Sequence, residues 1–209
     1  ADKPNGLGQY LAAIREWWDG YEHFVNKPSY LLSTPIFDVV KGPEVQKGFH
    51  PIQVKAPDWV AVIVDRIGTN GDRQVLLTKQ LRYGTMKEYL EFPCGTVEPG
   101  EDPRDAAVRE LKEETGYEVP SDKLKFLGNM PSNPAFMTNH IWVYSVTIDR
   151  DQAAGETNFD EHEQIETTWK ESRTFIMDTL KTMPGLMIAA WLLYEKTRDR
   201  YILSPHNGK

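Results

Sequence analysis

The sequence predicts an α/β sandwich, and three observations predict it. Trp59 to Asp65 is a nearly unbroken apolar, β-branched run, the pattern of a strand buried on both faces. Pro103 to Thr115 carries helix punctuation at both ends. Strand-like and helix-like segments then alternate towards the C-terminus, which suits layered packing rather than a bundle or an all-β fold.

The elements follow in chain order. Tyr10, Leu11, Ile14, Trp17, Trp18 and Tyr21 recur at spacings of three and four, so Leu7 to His23 reads as an apolar-aromatic helix, stopped by Asn26-Lys27-Pro28. Ser29 to Val45 reads as extended chain, broken at Pro35 and at Gly42-Pro43. Gly68-Thr69-Asn70-Gly71-Asp72 is a turn between the strand Trp59 to Asp65 and a second strand, Gln74 to Gln80. Tyr89 to Phe92 leads into Pro93-Cys94-Gly95. Asp102 is placed to cap the next helix, Pro103 suits its first position and Gly116 its end. Leu124 to Met130 and Ile141 to Ile148 read as strands joined by the polar loop Pro131 to His140. After an acidic loop, Asp149 to Glu163, Gln164 to Lys170 reads as a strand, and Ser172 to Leu180 and Leu186 to Lys196 as helices. The second of these, almost wholly apolar from Leu186 to Leu193, belongs in the core.

Composition narrows the function. The 209 residues suffice for one large domain, or one domain with a small extension. The single cysteine, Cys94, rules out an internal disulfide and fits a reducing compartment. No apolar run approaches the roughly 18 to 20 residues that span a bilayer, and the first residues hold no apolar signal core. The expectation is a cytoplasmic protein with no membrane partner. A formal net charge of −7 argues against nucleic acid. A small phosphate ligand would need local cations, from arginine or from metal.

The helix Pro103 to Thr115 concentrates the chemistry. Glu110, Glu113 and Glu114 share one side of it, beside Arg109 and close to Glu101. Like charges at these spacings cost about 0.2 to 0.5 kcal/mol per pair, and the Arg109–Glu113 pair offsets only part of that. Several glutamates on a helix usually mark a solvated face. Here strand, glycine-rich loop, capped helix and acidic cluster form one unit, which points to a bound cation. Mg²⁺ or Mn²⁺ is the natural candidate, because these hard ions take oxygen ligands and share them with substrate phosphates.

Gly95, five residues, Glu101, seven residues, then Arg109-Glu110-Leu111-Lys112-Glu113-Glu114-Thr115-Gly116-Tyr117 resembles the Nudix box at every fixed position. Tyr117 alone is less typical, standing where aliphatic residues are commoner. The resemblance implies a Nudix α/β/α sandwich with a mixed sheet, here preceded by a helix-plus-strand extension. It implies that Glu110, Glu113 and Glu114 hold two to three divalent ions, and that Arg109 and Glu101 orient those carboxylates. The main-chain carbonyl of Cys94 would join the metal shell, with the thiol a small buried place-holder rather than a nucleophile. Water would attack phosphorus in a diphosphate linkage, and a carboxylate would take its proton.

Gln80-Leu81-Arg82-Tyr83-Gly84 and Glu91-Phe92-Pro93-Cys94-Gly95 are similar to motifs of the ADP-ribose and nucleoside-diphosphate-sugar pyrophosphatase branch. Ser33 to Val40 resembles that branch's N-terminal strand region. On this resemblance Arg82 reaches the diphosphate or sugar, unless it is an ordinary surface arginine, and Glu91 binds substrate or braces the loop. Asp160-Glu161-His162-Glu163 resembles the loop that supplies the base: Glu161 would be the base and Glu163 a metal or water ligand. Residues 1–58 become a dimerisation arm ahead of a Nudix domain at 59–209, or else a private helical cap on a monomer. The loop Ser132 to His140 departs from the branch. Pro134 is present, but Ala135 stands in place of glycine and the expected glutamate is missing. Phe136 could stack on a base or simply pack the loop.

The expected function is therefore metal-dependent hydrolysis of a nucleoside-diphosphate-sugar to a nucleoside monophosphate and a sugar phosphate, in a homodimer. The alternatives are a house-cleaning nucleoside triphosphate or dinucleoside polyphosphate hydrolase, and a non-catalytic nucleotide-sugar sensor.

Overall fold

In the computed structural model the described residues are 30–159, 164–175, 179 and 181–202. The helix expected at Leu7 to His23 and the loop residues Glu161, His162 and Glu163 lie outside them. The chain divides into two units, residues 1–56 with 133–139, and residues 57–132 with 140–209.

The smaller unit is an antiparallel three-stranded sheet in the order β1 (Tyr30–Ser33), β2 (Asp38–Lys41), β3 (Ile52–Lys55). The first two strands fall within the stretch read as extended; β3 was not expected. Asn133 to Asn139, read from sequence as part of a catalytic-domain loop, belongs to this unit instead. The Val54 N–H donates to the Phe136 carbonyl (2.7 Å) and the Thr138 N–H to the Val54 carbonyl (3.0 Å), adding it to the free side of β3. Phe136 itself is 48 % exposed.

The larger unit is built on a seven-stranded mixed sheet. Its main path runs β10 (Ile165–Glu171), β5 (Arg73–Arg82), β4 (Trp59–Ile67), β9 (His140–Thr147), β8 (Lys125–Pro131). β6 (Lys87–Glu91) pairs with β5, and β7 (Cys94–Thr96) with the start of β4. Among its described strands only β4 and β9 run parallel, and both are apolar on two faces, as parallel strands must be when helices cover the sheet. Alternation along β4 sorts the core. Val60, Val62 and Val64 meet Ala106, Ala107 and Leu111 of helix α1 (Pro103–Thr115) on one face. Ala61 and Ile63 meet Met187, Ala190, Trp191 and Tyr194 of helix α2 (Gly185–Ile202) on the other. The unit is thus an α/β/α sandwich with a mixed sheet.

Helix α1 has the bounds its punctuation predicts. The Asp102 carboxylate accepts from the Arg104 N–H at 2.8 Å, and Gly116 closes the helix at φ 73° with its N–H on the Lys112 carbonyl (2.8 Å). A Cβ at Gly116 would stand 2.3 Å from the Gly155 carbonyl oxygen, so both φ and space call for glycine. The helix read at Ser172 to Leu180 begins late: residues 172–174 form a turn after β10, and helical residues occur at 175 and 179.

Candidate active site

Strand β7 runs antiparallel to β4 and delivers Gly95 beneath α1. A Cβ on Gly95 would fall 2.0 Å from the Glu110 carboxyl carbon, so the Glu110 carboxylate lies directly against this glycine's backbone. That close approach is what the first glycine of the motif permits.

Arg109 organises the carboxylates around it. Its Nε and Nη2 donate to the two oxygens of Glu101, both at 2.9 Å, in a bidentate fork. Nη2 also reaches the Thr96 carbonyl (2.9 Å), and Nη1 donates to Glu110 (2.8 Å) and Glu113 (3.1 Å). Glu101 accepts the Glu98 N–H as well (2.9 Å), which closes the loop ahead of the helix. The Arg109 hydrogen bond holds the Glu101 carboxyl below its ordinary pKa, and Glu101 in turn raises that of Arg109. One guanidinium therefore serves three carboxylates.

Glu114 reaches the residue before Gly95. It is buried, 3 % exposed, and accepts the Cys94 N–H at 2.9 Å. Cys94 in turn adjoins a second arginine–carboxylate pair. Arg82 forks onto Glu91, itself 3 % exposed, with Nε 3.0 Å from Oε2, and its Nη2 lies 3.3 Å from the Cys94 sulfur. Burial, together with Glu114 and Glu91, pushes the Cys94 thiol well up, so it stays neutral at physiological pH and is no nucleophile. Burial opposes the Arg82 charge, but Glu91 outweighs it and raises the pKa. Arg82 is thus tied to Glu91, neither a free surface side chain nor wholly enclosed.

Glu101, Arg109, Glu110 and Glu113 converge in one network; Glu114, Cys94, Glu91 and Arg82 form a second, joined to the first through the Cys94–Gly95 backbone. Phe136 belongs to the smaller unit and is described there. Among the described residues no group of three or more His, Cys, Asp or Glu is gathered tightly enough to close on one ion. Arg109 holds Glu110 and Glu113, and the Cys94 N–H holds Glu114, so a shared ion would require these side chains to turn. The donors themselves are carboxylate oxygens, which fits a hard divalent ion.

Two contributors escaped the sequence reading. The Thr96 carbonyl orients Arg109, a main-chain role with no side-chain signature. Asp58 accepts the His140 N–H and the Trp142 Nε1–H, both at 2.8 Å, tying the ends of parallel strands β4 and β9. An acidic residue ahead of an apolar run was visible, but its partners more than eighty positions away were not.

Fold and loop–helix geometry together define an α/β sandwich with an arginine-centred carboxylate cluster over a glycine. The NUDIX domain model matches residues 59–179, and the chain belongs to the Nudix family. The chain is similar to the methanol dehydrogenase activator of Bacillus methanolicus, 32 % identical over 127 residues (60 % of this chain, 65 % of that protein). It is similar also to the ADP-sugar pyrophosphatase of Mus musculus, 39 % identical over 99 residues (47 % and 44 %). The matches thus span less than two thirds of each of these relatives. A crystal structure of an ADP compounds hydrolase shares the fold, with a TM-score of 0.63 at 21 % identity, over 82 % of this chain and 91 % of that one. No helix among the described residues is long and apolar enough to cross a membrane.

Proposed function

We propose that this protein hydrolyses the pyrophosphate bond of an ADP-ribose-like nucleoside-diphosphate-sugar, giving a nucleoside monophosphate and a sugar phosphate. The observation that carries the proposal is the Arg109 network, which holds Glu101, Glu110 and Glu113 beside Gly95. The name of the ADP-sugar pyrophosphatase relative supports the substrate class.

Glu110, Glu113 and Glu114, with the Cys94 carbonyl and Glu163, are the proposed holders of two to three Mg²⁺ or Mn²⁺ ions. When bound, such ions neutralise phosphate oxygens and lower the pKa of water. The chain's own residues do the rest. Arg109 orients Glu110 and Glu113 through its two-ended grip, and Glu101 anchors Arg109. Glu91 fixes Arg82, whose remaining N–H groups are free to meet a diphosphate oxygen or a sugar hydroxyl. Glu161 is the proposed base, and Phe136 a proposed stacking surface for the nucleobase. Residues 1–58 are proposed as the arm of a homodimer.

A panel of nucleoside-diphosphate-sugars, nucleoside triphosphates and dinucleoside polyphosphates, assayed with Mg²⁺ and Mn²⁺, tests the reading. Turnover confined to triphosphates or dinucleotides overturns the substrate class, and no turnover at all overturns the enzyme. Full activity in Glu161→Gln places the base elsewhere. Sedimentation as a monomer removes the dimer.

A further inference from the structure

The acidic stretch after β9 runs back over the end of α1 and is fastened there at three points. The Gln152 side-chain amide donates to the Glu118 carbonyl (2.9 Å), the Gly155 N–H to the Gly116 carbonyl (2.8 Å) and the Asn158 N–H to the Glu113 carbonyl (2.9 Å). The last four carbonyls of a helix lack intrahelical donors, and that of Glu113 is one of them. Residues 153–159 are exposed, so apolar burial does little to hold them and the hydrogen bonds must. Glycine permits the approach, since a Cβ at Gly116 would stand 2.3 Å from the Gly155 carbonyl oxygen. The residue that takes the Asn158 N–H on its carbonyl, Glu113, also accepts Arg109 on its carboxylate (3.1 Å). Further on, the chain re-enters the sheet at Ile165, opposite Gln80 on the strand that carries Arg82.

We propose that Gly155 and Asn158 are positioning residues, whose main-chain N–H groups tie the acidic loop to α1 and keep the base within reach of the carboxylate cluster. The proposal rests on the reading of Glu161 as that base. Glu161 follows Asn158 by three residues, at most about 11 Å of extended chain. With both ties in place, the chain free to move ahead of Ile165 is residues 159–164. Without them Gln152 is the next point of attachment, and the free chain is residues 153–164, twice as long. The local concentration of a tethered group falls roughly as the −3/2 power of tether length, so this doubling costs about threefold. The ties hold neither Arg82 nor a box carboxylate oxygen, so the loss belongs in kcat rather than in KM.

Amide hydrogen exchange of the full chain tests the ties directly. Gly155 and Asn158 should exchange at least tenfold more slowly than in an unstructured peptide of the same sequence, although both are exposed. Gly155→Pro/Asn158→Pro removes both donors, and kcat on the best substrate should fall at least threefold at unchanged KM. Gly155→Ala/Asn158→Ala keeps both N–H groups, and a Cβ at Gly155 would meet the Gly116 carbonyl oxygen at an ordinary 3.4 Å, so this pair should recover the parent rate. In a Glu161→Gln background the proline pair should cause no further loss, which separates a hold on the base from general loosening of α1. Exchange at the peptide rate, or an equal loss in the Glu161→Gln background, overturns the proposal. A slow Glu161→Gln beside a proline pair at the parent rate overturns the positioning role alone. The parent rate in Glu161→Gln overturns the base reading and the positioning role with it.

Discussion

Two arginines, Arg109 on helix α1 and Arg73 on strand β5, have opposite surroundings. Arg109 spreads one charge over Glu101, Glu110 and Glu113, and its side chain is 27 % exposed. Arg73 meets a single carboxylate, Asp65, which is 1 % exposed and also accepts the Tyr194 hydroxyl. Burial raises the Tyr194 pKa, which keeps the phenol protonated as a donor. The first cluster sets one guanidinium against three carboxylates in a partly open setting. The second sets one guanidinium against one buried carboxylate, with the Tyr194 hydroxyl as a further donor. The lesson is that a buried, matched ion pair serves the fold, whereas an unmatched cluster at a loop or cavity mouth can serve a ligand.

The largest expected effect is on stability, at the closed pair. Asp65→Ala removes the carboxylate partner of Arg73, which keeps the Tyr194 oxygen at 3.1 Å, and the acceptor of the Tyr194 hydroxyl. Breaking one partner of a buried pair costs about 3 to 5 kcal/mol, and Arg73, 26 % exposed, can turn partly to water, so about 3 kcal/mol is expected. Urea unfolding measures it. A loss below about 1 kcal/mol would mean that the pair is no structural keystone and the contrast with Arg109 fails.

At the open cluster the effect should fall on rate instead. Glu113→Gln keeps the side-chain shape and relieves like-charge crowding, so unfolding should change little. Turnover of the best substrate should drop about a hundredfold, equivalent to about 2.7 kcal/mol of barrier. Equal losses of stability in this variant and in Asp65→Ala would erase the distinction between the two clusters.

The pH dependence of folding sharpens the same comparison. Arg109 lowers the Glu101 pKa in the folded state. A depressed carboxylate contributes stability above its unfolded value, about 4.3, and that contribution disappears as pH falls through the folded value. Arg109→Gln should flatten this acid limb of the stability curve, which lies below the unfolded carboxylate value of about 4.3. An identical limb in the variant would show that the fork with Glu101 contributes nothing to folding.

Much of this contrast could be read from sequence at one end and not at the other. Local signals survive translation into structure: Asp102, Pro103 and Gly116 bound α1 where the punctuation puts it. The box residues are close in sequence, so helical periodicity alone places Glu110, Glu113 and Glu114. Strand β3 escaped notice because four residues between His50-Pro51 and Ala56-Pro57 give almost no periodic signal. Asn133 to Asn139 was assigned with the catalytic part because its pairing to Val54 spans about eighty positions and no local pattern encodes it. The Asp65–Tyr194 contact was invisible for the same reason: its partners are 129 positions apart and meet only once helix α2 packs on the sheet.

The smallest effect separates helix stability from the chemistry the helix carries. Asp102 caps α1 through the Arg104 N–H, whereas the Arg109 network is built on Glu101, Glu110 and Glu113. Asp102→Ala removes that acceptor at an exposed helix start, which costs about 1 kcal/mol. Beyond the cap, the fork from Arg109 to Glu101 and the packing of Ala106, Ala107 and Leu111 still hold α1 against the sheet. The carboxylates should therefore keep their places, and turnover should stay within about twofold of the parent while the urea midpoint falls. A hundredfold rate loss in Asp102→Ala would show instead that the cluster depends on helix-end stability, and that the Arg109 network does not by itself hold the carboxylates in register.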